Sequence, residues 1–368
     1  MAKNGVSGPV KPDLAESRPT GRGIQSMGGM SEKAAAGATP PRTCAGKTGP
    51  RKPFFAILRI ECMFSTRLKT DLKNLLGEAV VFDAPLAAQT SIRIGGPADG
   101  LFRPQDAEGL KKALGFAREK SIPVFVLGKG SNTLVRDGGF RGLVIHLGLL
   151  RRFEKTGDNG SGVWVTAQSG VPTPQLIRWA ALEGLAGLEC LAGVPGTVGG
   201  NVFMNAGTYL GEIGDKIQEV KILDNKGNER VLKREKLKFE YRTSNIPPSS
   251  IILEAVFLLQ KGEKEKIEQK IREAFEKRGL AQPVEQPSLG SVFKNPGKKK
   301  AWELIEEAGL KGVRVEKARI SEKHANFIVN EGGATAKDVE VLIRMVRDRV
   351  KQATGELLET EIKVVGEG

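Results

Sequence analysis

Histidine, cysteine and tyrosine are scarce in this chain, and each shortage removes a class of function. Only His146 and His324 stand in 368 residues. A site needing several imidazole ligands cannot be built within one such chain, so no metal centre is expected. The three cysteines, Cys44, Cys62 and Cys190, are odd in number, and none has the short spacing of a zinc or redox motif. That argues against a disulfide framework and points to a reducing cytoplasm. Tyr209 and Tyr241 are the only tyrosines, and the phenylalanines lie mostly in apolar runs. A stacking platform for nucleic acid is therefore not evident. No apolar run reaches 18 residues; the best candidates, 53–60 and 251–259, carry or adjoin charges. A membrane-spanning helix is not expected.

What is present suits a folded enzyme. Apolar residues make up 39% of the chain, enough for a sizeable core. The formal charge is +14, which invites a nucleic-acid reading. Its distribution weakens that reading: residues 1–62 carry a net +6, and the other +8 is spread over 306 residues. An enzyme for a polyanionic substrate fits equally well.

Residues 1–62 are rich in Gly, Pro, Ala and Lys without a sustained apolar period, and are expected to be a disordered extension. Gly46-Lys47-Thr48 lacks the glycine a phosphate loop needs five residues earlier, having Pro41 there. The folded part is expected to begin near Met63, so that deleting 1–62 leaves activity and melting temperature nearly unchanged. Strands are predicted at 80–82, 124–127, 143–147, 163–167 and 251–259. A hairpin is predicted around Asp224-Asn225-Lys226-Gly227. Helices are predicted at 66–76, 107–119, 174–183 (N-cap Thr173), 263–277 and 336–353, the last closed by Gly355. In the helix at 263–277, Ile267, Ile271, Ala274 and Phe275 form the apolar stripe. A domain boundary is placed near residue 262, and the mixture reads as α+β in at least two lobes.

Three glycine-rich segments stand out: Thr90 to Asp99, Gly128-Lys129-Gly130-Ser131-Asn132-Thr133, and Gly193-Val194-Pro195-Gly196-Thr197-Val198-Gly199-Gly200 running on to Asn205-Ala206-Gly207. Glycine permits positive φ and lets backbone amides approach an anion closely. The second segment follows a predicted strand, where a nest of amides could hold a pyrophosphate. Thr133 stands where G-x-G-x-x-G needs its third glycine, so the ordinary dinucleotide fingerprint is not matched. Any one segment alone is a weak signal, since tight turns look the same.

A second constellation lies towards the C-terminus: Tyr241-Arg242-Thr243-Ser244, Gly290-Ser291-Val292-Phe293-Lys294-Asn295-Pro296, His324-Ala325-Asn326-Phe327 and Glu359-Thr360-Glu361-Ile362-Lys363. Ser291 has no histidine nearby in sequence and no G-x-S-x-G around it, which disfavours a serine hydrolase. A serine can instead donate a proton when adjacent cations and a strong carbanion base drive the transfer.

With these motifs in order, residues 66–366 closely resemble the UDP-N-acetylenolpyruvoylglucosamine reductase family. The resemblance implies an α+β fold: a two-lobed FAD-binding domain of the vanillyl-alcohol-oxidase (PCMH) type over 63–262, and a C-terminal α+β substrate-binding domain over 263–368. It implies FAD as cofactor and NADPH as reductant. The reaction would reduce the enolpyruvyl group of UDP-N-acetylglucosamine enolpyruvate to give UDP-N-acetylmuramate for peptidoglycan. Matched motif by motif, Ser291 would protonate the substrate, while Arg242 and Glu361 would polarise its carboxylate. The flavin would be held by Arg93 and Gly95, by Gly128, Lys129, Gly130, Ser131, Asn132 and Thr133, and by Gly193, Pro195, Gly196, Thr197, Gly199, Gly200, Asn205 and Gly207. Tyr241, Lys294, Asn295, Asn326 and Lys363 would face the substrate.

Two positions depart from the family pattern. Lys363 replaces an arginine and loses the bidentate fork. Lys129 stands where glycine is common, which would strain the loop if that position needs positive φ. The short interval between Ser244 and Gly290 points to the subclass without an extra tyrosine-bearing loop. Two rivals remain at this level: another FAD oxidoreductase on the same fold, and a basic nucleic-acid-binding protein. Covalent flavin attachment would need His146 or Cys190, and neither sits in an attachment motif.

Overall fold

The computed structural model describes residues 64–368. The expected extension at 1–62, with Cys44, Cys62 and the Gly46-Lys47-Thr48 triplet, and the expected start at Met63, lie outside the described residues.

The first lobe is a four-stranded sheet in the order Val80–Pro85, Pro97–Phe102, Phe140–His146, Val124–Leu127. The first pair is antiparallel and the other two are parallel. Helices α1 (Thr66–Leu76) and α2 (Ala107–Glu119) cover it. Ser65 caps α1 by accepting from Leu68 N, and Asp106 caps α2 by accepting from Gly109 N at 2.7 Å. Leu72, Leu110, Leu143 and Ile145 form the fully buried centre of this lobe.

The second lobe is antiparallel, in the order Glu229–Lys233, Ile217–Leu223, Ile251–Lys261, Val163–Gln168, Phe153–Asp158. The predicted hairpin is there, with Leu223 opposite Glu229. The sheet packs against α3 (Thr173–Leu182) and α4 (Val198–Phe203) through Leu176, Ile177, Val198 and Val202. The predicted N-cap of α3 is corrected by one residue. Pro172 occupies that position, and Thr173 is helical and buried, accepting from Asn201 Nδ2 at 2.7 Å.

Helix α5 (Lys264–Ala281) follows the proposed boundary near residue 262, yet its Ile271 packs against the second-lobe core. The predicted stripe holds for Ile267 and Ala274 but not for Phe275, which is exposed. The C-terminal part is an antiparallel sheet in the order Ser288–Ser291, Phe327–Asn330, Ala318–Ile320, Arg314–Val315. It is covered by α6 (Ala301–Glu307) and α7 (Ala336–Thr354). Thr335 and Asp338 make a capping box at the start of α7, and Gly355 ends it at φ 78°.

The C-terminal part is bound firmly to the first lobe. The strand Lys363–Val365 pairs in parallel with Thr133–Val135. Ile92, Ile94 and Leu134 of the first lobe are buried in the same cluster as Val339 and Leu342 of α7. The Asp137 carboxylate accepts from Ala336 N at 2.8 Å and Lys337 N at 3.1 Å, and Asn330 Nδ2 donates to Ile92 O at 2.9 Å. These contacts fix the loop 128–133 against the residues that close the chain.

Candidate active site

Two of the three glycine-rich segments line one large cavity of about 1310 Å³; the segment Thr90 to Asp99 does not. Its first wall begins where the strand Val124–Leu127 ends. Gly128, Lys129, Gly130, Ser131, Asn132 and Thr133 all line it. Gly130 has φ 63°, and a Cβ there would collide with the Gln89 carbonyl and sit 2.8 Å from Thr90 Cα. Lys129 is not among the residues with positive φ, so the strain that this departure threatened is absent. The second wall comes from Pro195, Gly196, Thr197, Gly199, Gly200 and Gly207. The two walls meet closely: a Cβ on Gly128 would lie 2.7 Å from Thr197 Oγ1, and one on Gly199 would lie 2.7 Å from Ser169 Cβ.

This cavity suits a large polar cofactor. Its glycines let the two walls and their neighbours pack closely around it, because a Cβ at Gly128, Gly130, Gly196, Gly199 or Gly207 would meet protein atoms. Three buried side-chain atoms on its lining lack protein partners: Ser169 Oγ, Arg278 Nε and Gln282 Oε1. Buried polar groups are normally satisfied, so these three await hydrogen bonds from an occupant.

The charged residues adjoin both walls. Phe239–Glu240 and Thr243–Ser244 form a short hairpin with Tyr241 and Arg242 at its tip. Arg242 has φ 58°, a strained state for a non-glycine residue of the kind that clusters at functional sites. Ser244 Oγ donates to Phe203 O at 2.8 Å and anchors the hairpin to α4. Arg242 Nε lies 3.0 Å from Glu361 Oε1, and its Nη2 donates to Gly207 O at 3.4 Å. Tyr241 Oη accepts from Asn295 N at 3.4 Å.

Glu361 is held by backbone on both sides. Its N–H donates to Val292 O at 2.8 Å, and its carbonyl accepts from Asn132 Nδ2 at 3.1 Å. Burial pushes its carboxyl above the ordinary range, against the opposing pull of Arg242 and Lys294. Ser291 ends the strand Ser288–Ser291 and lines the same cavity as Arg242 and Glu361. Asn295, Asn326, Lys363 and Tyr241 line it as well.

Five predicted positions do not line the cavity: Arg93, Gly95, Gly193, Asn205 and Lys294. Asn205 is fully buried and its amide is spent on the protein. It donates to the Glu212 carboxylate and to Glu240 O (3.0 Å), and accepts from Gly214 N at 3.1 Å. Gly193 instead leaves space for Arg278, whose Cδ would be 2.6 Å from a Cβ there. Lys294 pairs with exposed Glu359 at 3.5 Å. Asn326 lines the cavity but its amide clasps Phe293, accepting from N at 2.9 Å and donating to O at 2.8 Å.

Sequence reasoning missed Ser169, Arg278, Gln282 and Tyr209, and quoted His324 in a motif without giving it a role; all five are on the lining. Arg278 is masked in sequence by the charge of α5, which reads as a solvated face. Burial holds His324 below its ordinary pKa, so it is neutral at pH 7. Neither His146 nor Cys190 lines the cavity, and burial pushes the Cys190 thiol up to about 12. A covalent flavin link through either has no geometric support. Among the described residues there is no group of three or more His, Cys, Asp or Glu placed to hold a metal.

Comparison with known proteins decides the family. Residues 98–233 match a family described as FAD binding domain. Residues 282–365 match UDP-N-acetylenolpyruvoylglucosamine reductase, C-terminal domain. The UDP-N-acetylenolpyruvoylglucosamine reductase of Syntrophus aciditrophicus is 42% identical over 310 residues, covering 84% of this chain and 99% of that protein. The chain belongs to the UDP-N-acetylenolpyruvoylglucosamine reductase family. The enzyme of that name from Clostridium botulinum is 43% identical over 78% of this chain and 93% of its own length. The crystal structure of UDP-N-acetylenolpyruvylglucosamine reductase (MurB) from Thermus caldophilus superposes with a TM-score of 0.67 at 39% identity, covering 78% of this chain and 98% of that one. Within this reductase family the α+β architecture has its two expected parts, an FAD-binding domain and the family's C-terminal domain. Membership also makes the chain an FAD-dependent oxidoreductase.

Proposed function

We propose that the chain reduces UDP-N-acetylglucosamine enolpyruvate to UDP-N-acetylmuramate, with NADPH as reductant, in peptidoglycan precursor synthesis in the cytoplasm. The observation that carries this reading is the convergence of Ser291, Arg242 and Glu361 on a cavity whose other walls are glycine turns. Bound FAD would supply the hydride chemistry, relaying two electrons from NADPH to C3 of the enolpyruvyl group.

The chain's own residues would do the rest. Backbone at Gly128, Gly130, Gly196, Gly199 and Gly200 would meet the cofactor, with Ser169 Oγ filling its missing hydrogen bond. Lys363, Asn295 and Tyr241 would meet the sugar nucleotide. Arg242 would neutralise the substrate carboxylate and stabilise the negative charge that builds at C2 and the carboxylate as C3 gains hydride. Its hairpin fixes the guanidinium beforehand, so little reorganisation is needed during the reaction. Ser291 would deliver the proton to C2, completing the addition of H⁻ and H⁺ across the double bond. Glu361, kept towards its neutral form by burial, would support that charge without repelling it. Asn132 and Asn326 would act by position, one holding the Glu361 carbonyl and the other Phe293, just beyond Ser291.

The test is spectroscopic. The purified protein should show a flavin spectrum that bleaches under anaerobic NADPH and returns on adding the enolpyruvyl sugar nucleotide. Bleaching without return would reject the substrate; absence of any bound flavin after FAD is supplied would reject the site.

A further inference from the structure

We propose that Arg278 is a second anion-binding guanidinium of this cavity, placed to receive an oxyanion of a bound reactant and separate from the Arg242–Glu361 pair. The proposal rests on the cavity being the site of FAD and the enolpyruvyl sugar nucleotide, and it adds a residue that no motif identified.

Three observations carry it. First, Arg278 lines the cavity, and its Nε is buried with no hydrogen-bond partner. Second, no ion pair to Arg278 occurs among the described residues. The charge nearest enough to act on it is another cation, Arg242, which together with burial holds it below its ordinary pKa. An arginine stays charged even so. A desolvated cation without a counter-ion is costly unless an anion is supplied. Third, the fold makes room for it. Gly193, at φ 75°, leaves the space that the Arg278 side chain fills, because a Cβ there would fall 2.6 Å from Cδ and 3.1 Å from Nε. Gln282, the residue that ends α5, also lines the cavity with an unpartnered Oε1.

A structural role is the competing account. Arg278 lies in the last turn of α5, where a cation favours the helix carbonyls. That account predicts that removal lowers stability and leaves ligand affinity alone. The anion account predicts the reverse, because the side chain is a cost to the fold and a gain to the complex.

The oxyanion has two sources, a phosphate of FAD or the carboxylate or diphosphate of the sugar nucleotide. Arg278→Met and Arg278→Lys would be prepared as full-length holoenzymes. FAD dissociation would be read from the fluorescence of flavin released on dilution. Binding of UDP-N-acetylglucosamine enolpyruvate would be read from the change in flavin absorbance. In Arg278→Met one of the two Kd values should rise by about tenfold or more, and Arg278→Lys should recover part of it. A rise in the FAD value assigns the cofactor as the source, and a rise in the other assigns the substrate. Both Kd values within about twofold of wild type in Arg278→Met, with a lower melting temperature, would overturn the proposal. If Arg278→Met does not fold, Arg278→Lys decides: it keeps charge but loses the Nε donor, so unchanged Kd values reject the role. A wild-type protein that takes up no FAD would instead remove the reading beneath it.

Discussion

The Nε atom of Arg242 lies 3.0 Å from Oε1 of Glu361, which ties a strained hairpin to the segment that leads into the strand Lys363–Val365. The pair has the geometry of a salt bridge, set where burial opposes the charged form of the carboxyl. Burial raises the carboxyl pKa, and the neighbouring Arg242, with Lys294, pulls it the other way by less.

That balance fixes a pH dependence. A carboxyl whose folded-state pKa is raised above the unfolded value, near 4.5, stabilises the fold only while it is protonated. Its contribution is fully present below about pH 4.5 and is lost as pH rises through the folded-state value. Glu361→Gln removes the titration. The melting temperature of Glu361→Gln minus that of wild type should therefore become more positive between pH 4.5 and pH 8. A difference that is flat, or that falls, shows that Glu361 does not carry a raised pKa.

Ser291→Ala separates the two halves of the proposed reaction. The residue lines the cavity beside Arg242 and Glu361 and is assigned to protonate C2. Flavin bleaching by NADPH should stay within about twofold of wild type, while return of the spectrum on adding the enolpyruvyl sugar nucleotide should slow by roughly 10²-fold or more. Stopped-flow absorbance measures both. Equal loss in the two phases would take Ser291 out of the proton-donor role.

What could be read from sequence follows the range of the forces involved. Helices α1, α2 and α7 were legible because capping groups and a 3.6-residue apolar period are local. The strands Pro97–Phe102 and Thr133–Val135 were not. Each exists because a strand distant in sequence pairs with it, Pro97–Phe102 with Phe140–His146 and Thr133–Val135 with Lys363–Val365. The site divides the same way. Gly128 to Thr133 announces itself by composition, and Glu361 by its motif. Arg278 and Ser169 are defined only by what the fold removes from around them, which no spacing records. Asn205 shows the converse: a polar residue in a glycine segment whose amide is consumed by Glu212, Glu240 and Gly214.

Asn326 should prove a positioning residue. Its amide pairs with both N and O of Phe293 while 4% exposed, so it holds the segment two residues beyond Ser291 in place. Asn326→Ala leaves two buried backbone groups unpaired, at a cost of about 2–4 kcal/mol. The melting temperature should fall clearly, and the Ser291-dependent phase should slow more than the NADPH phase. A variant with wild-type stability and a raised substrate KM alone would mean that the amide contacts substrate.

Adjacent positions in the first loop should behave oppositely. Gly130 has φ 63°, and a Cβ would meet the backbone of Gln89 and Thr90, neither of which can swing aside. Gly130→Ala should cost more than about 1 kcal/mol of stability and weaken FAD binding at least tenfold. Lys129 has no positive φ and lines the cavity. Lys129→Ala should keep the melting temperature within about 2 °C and weaken FAD only a few-fold, by loss of one cation near the phosphates. Fluorescence titration of FAD and thermal melts measure both variants. If Lys129→Ala matches Gly130→Ala in lost stability, the loop is held by the lysine side chain, and the glycine account of this wall is wrong.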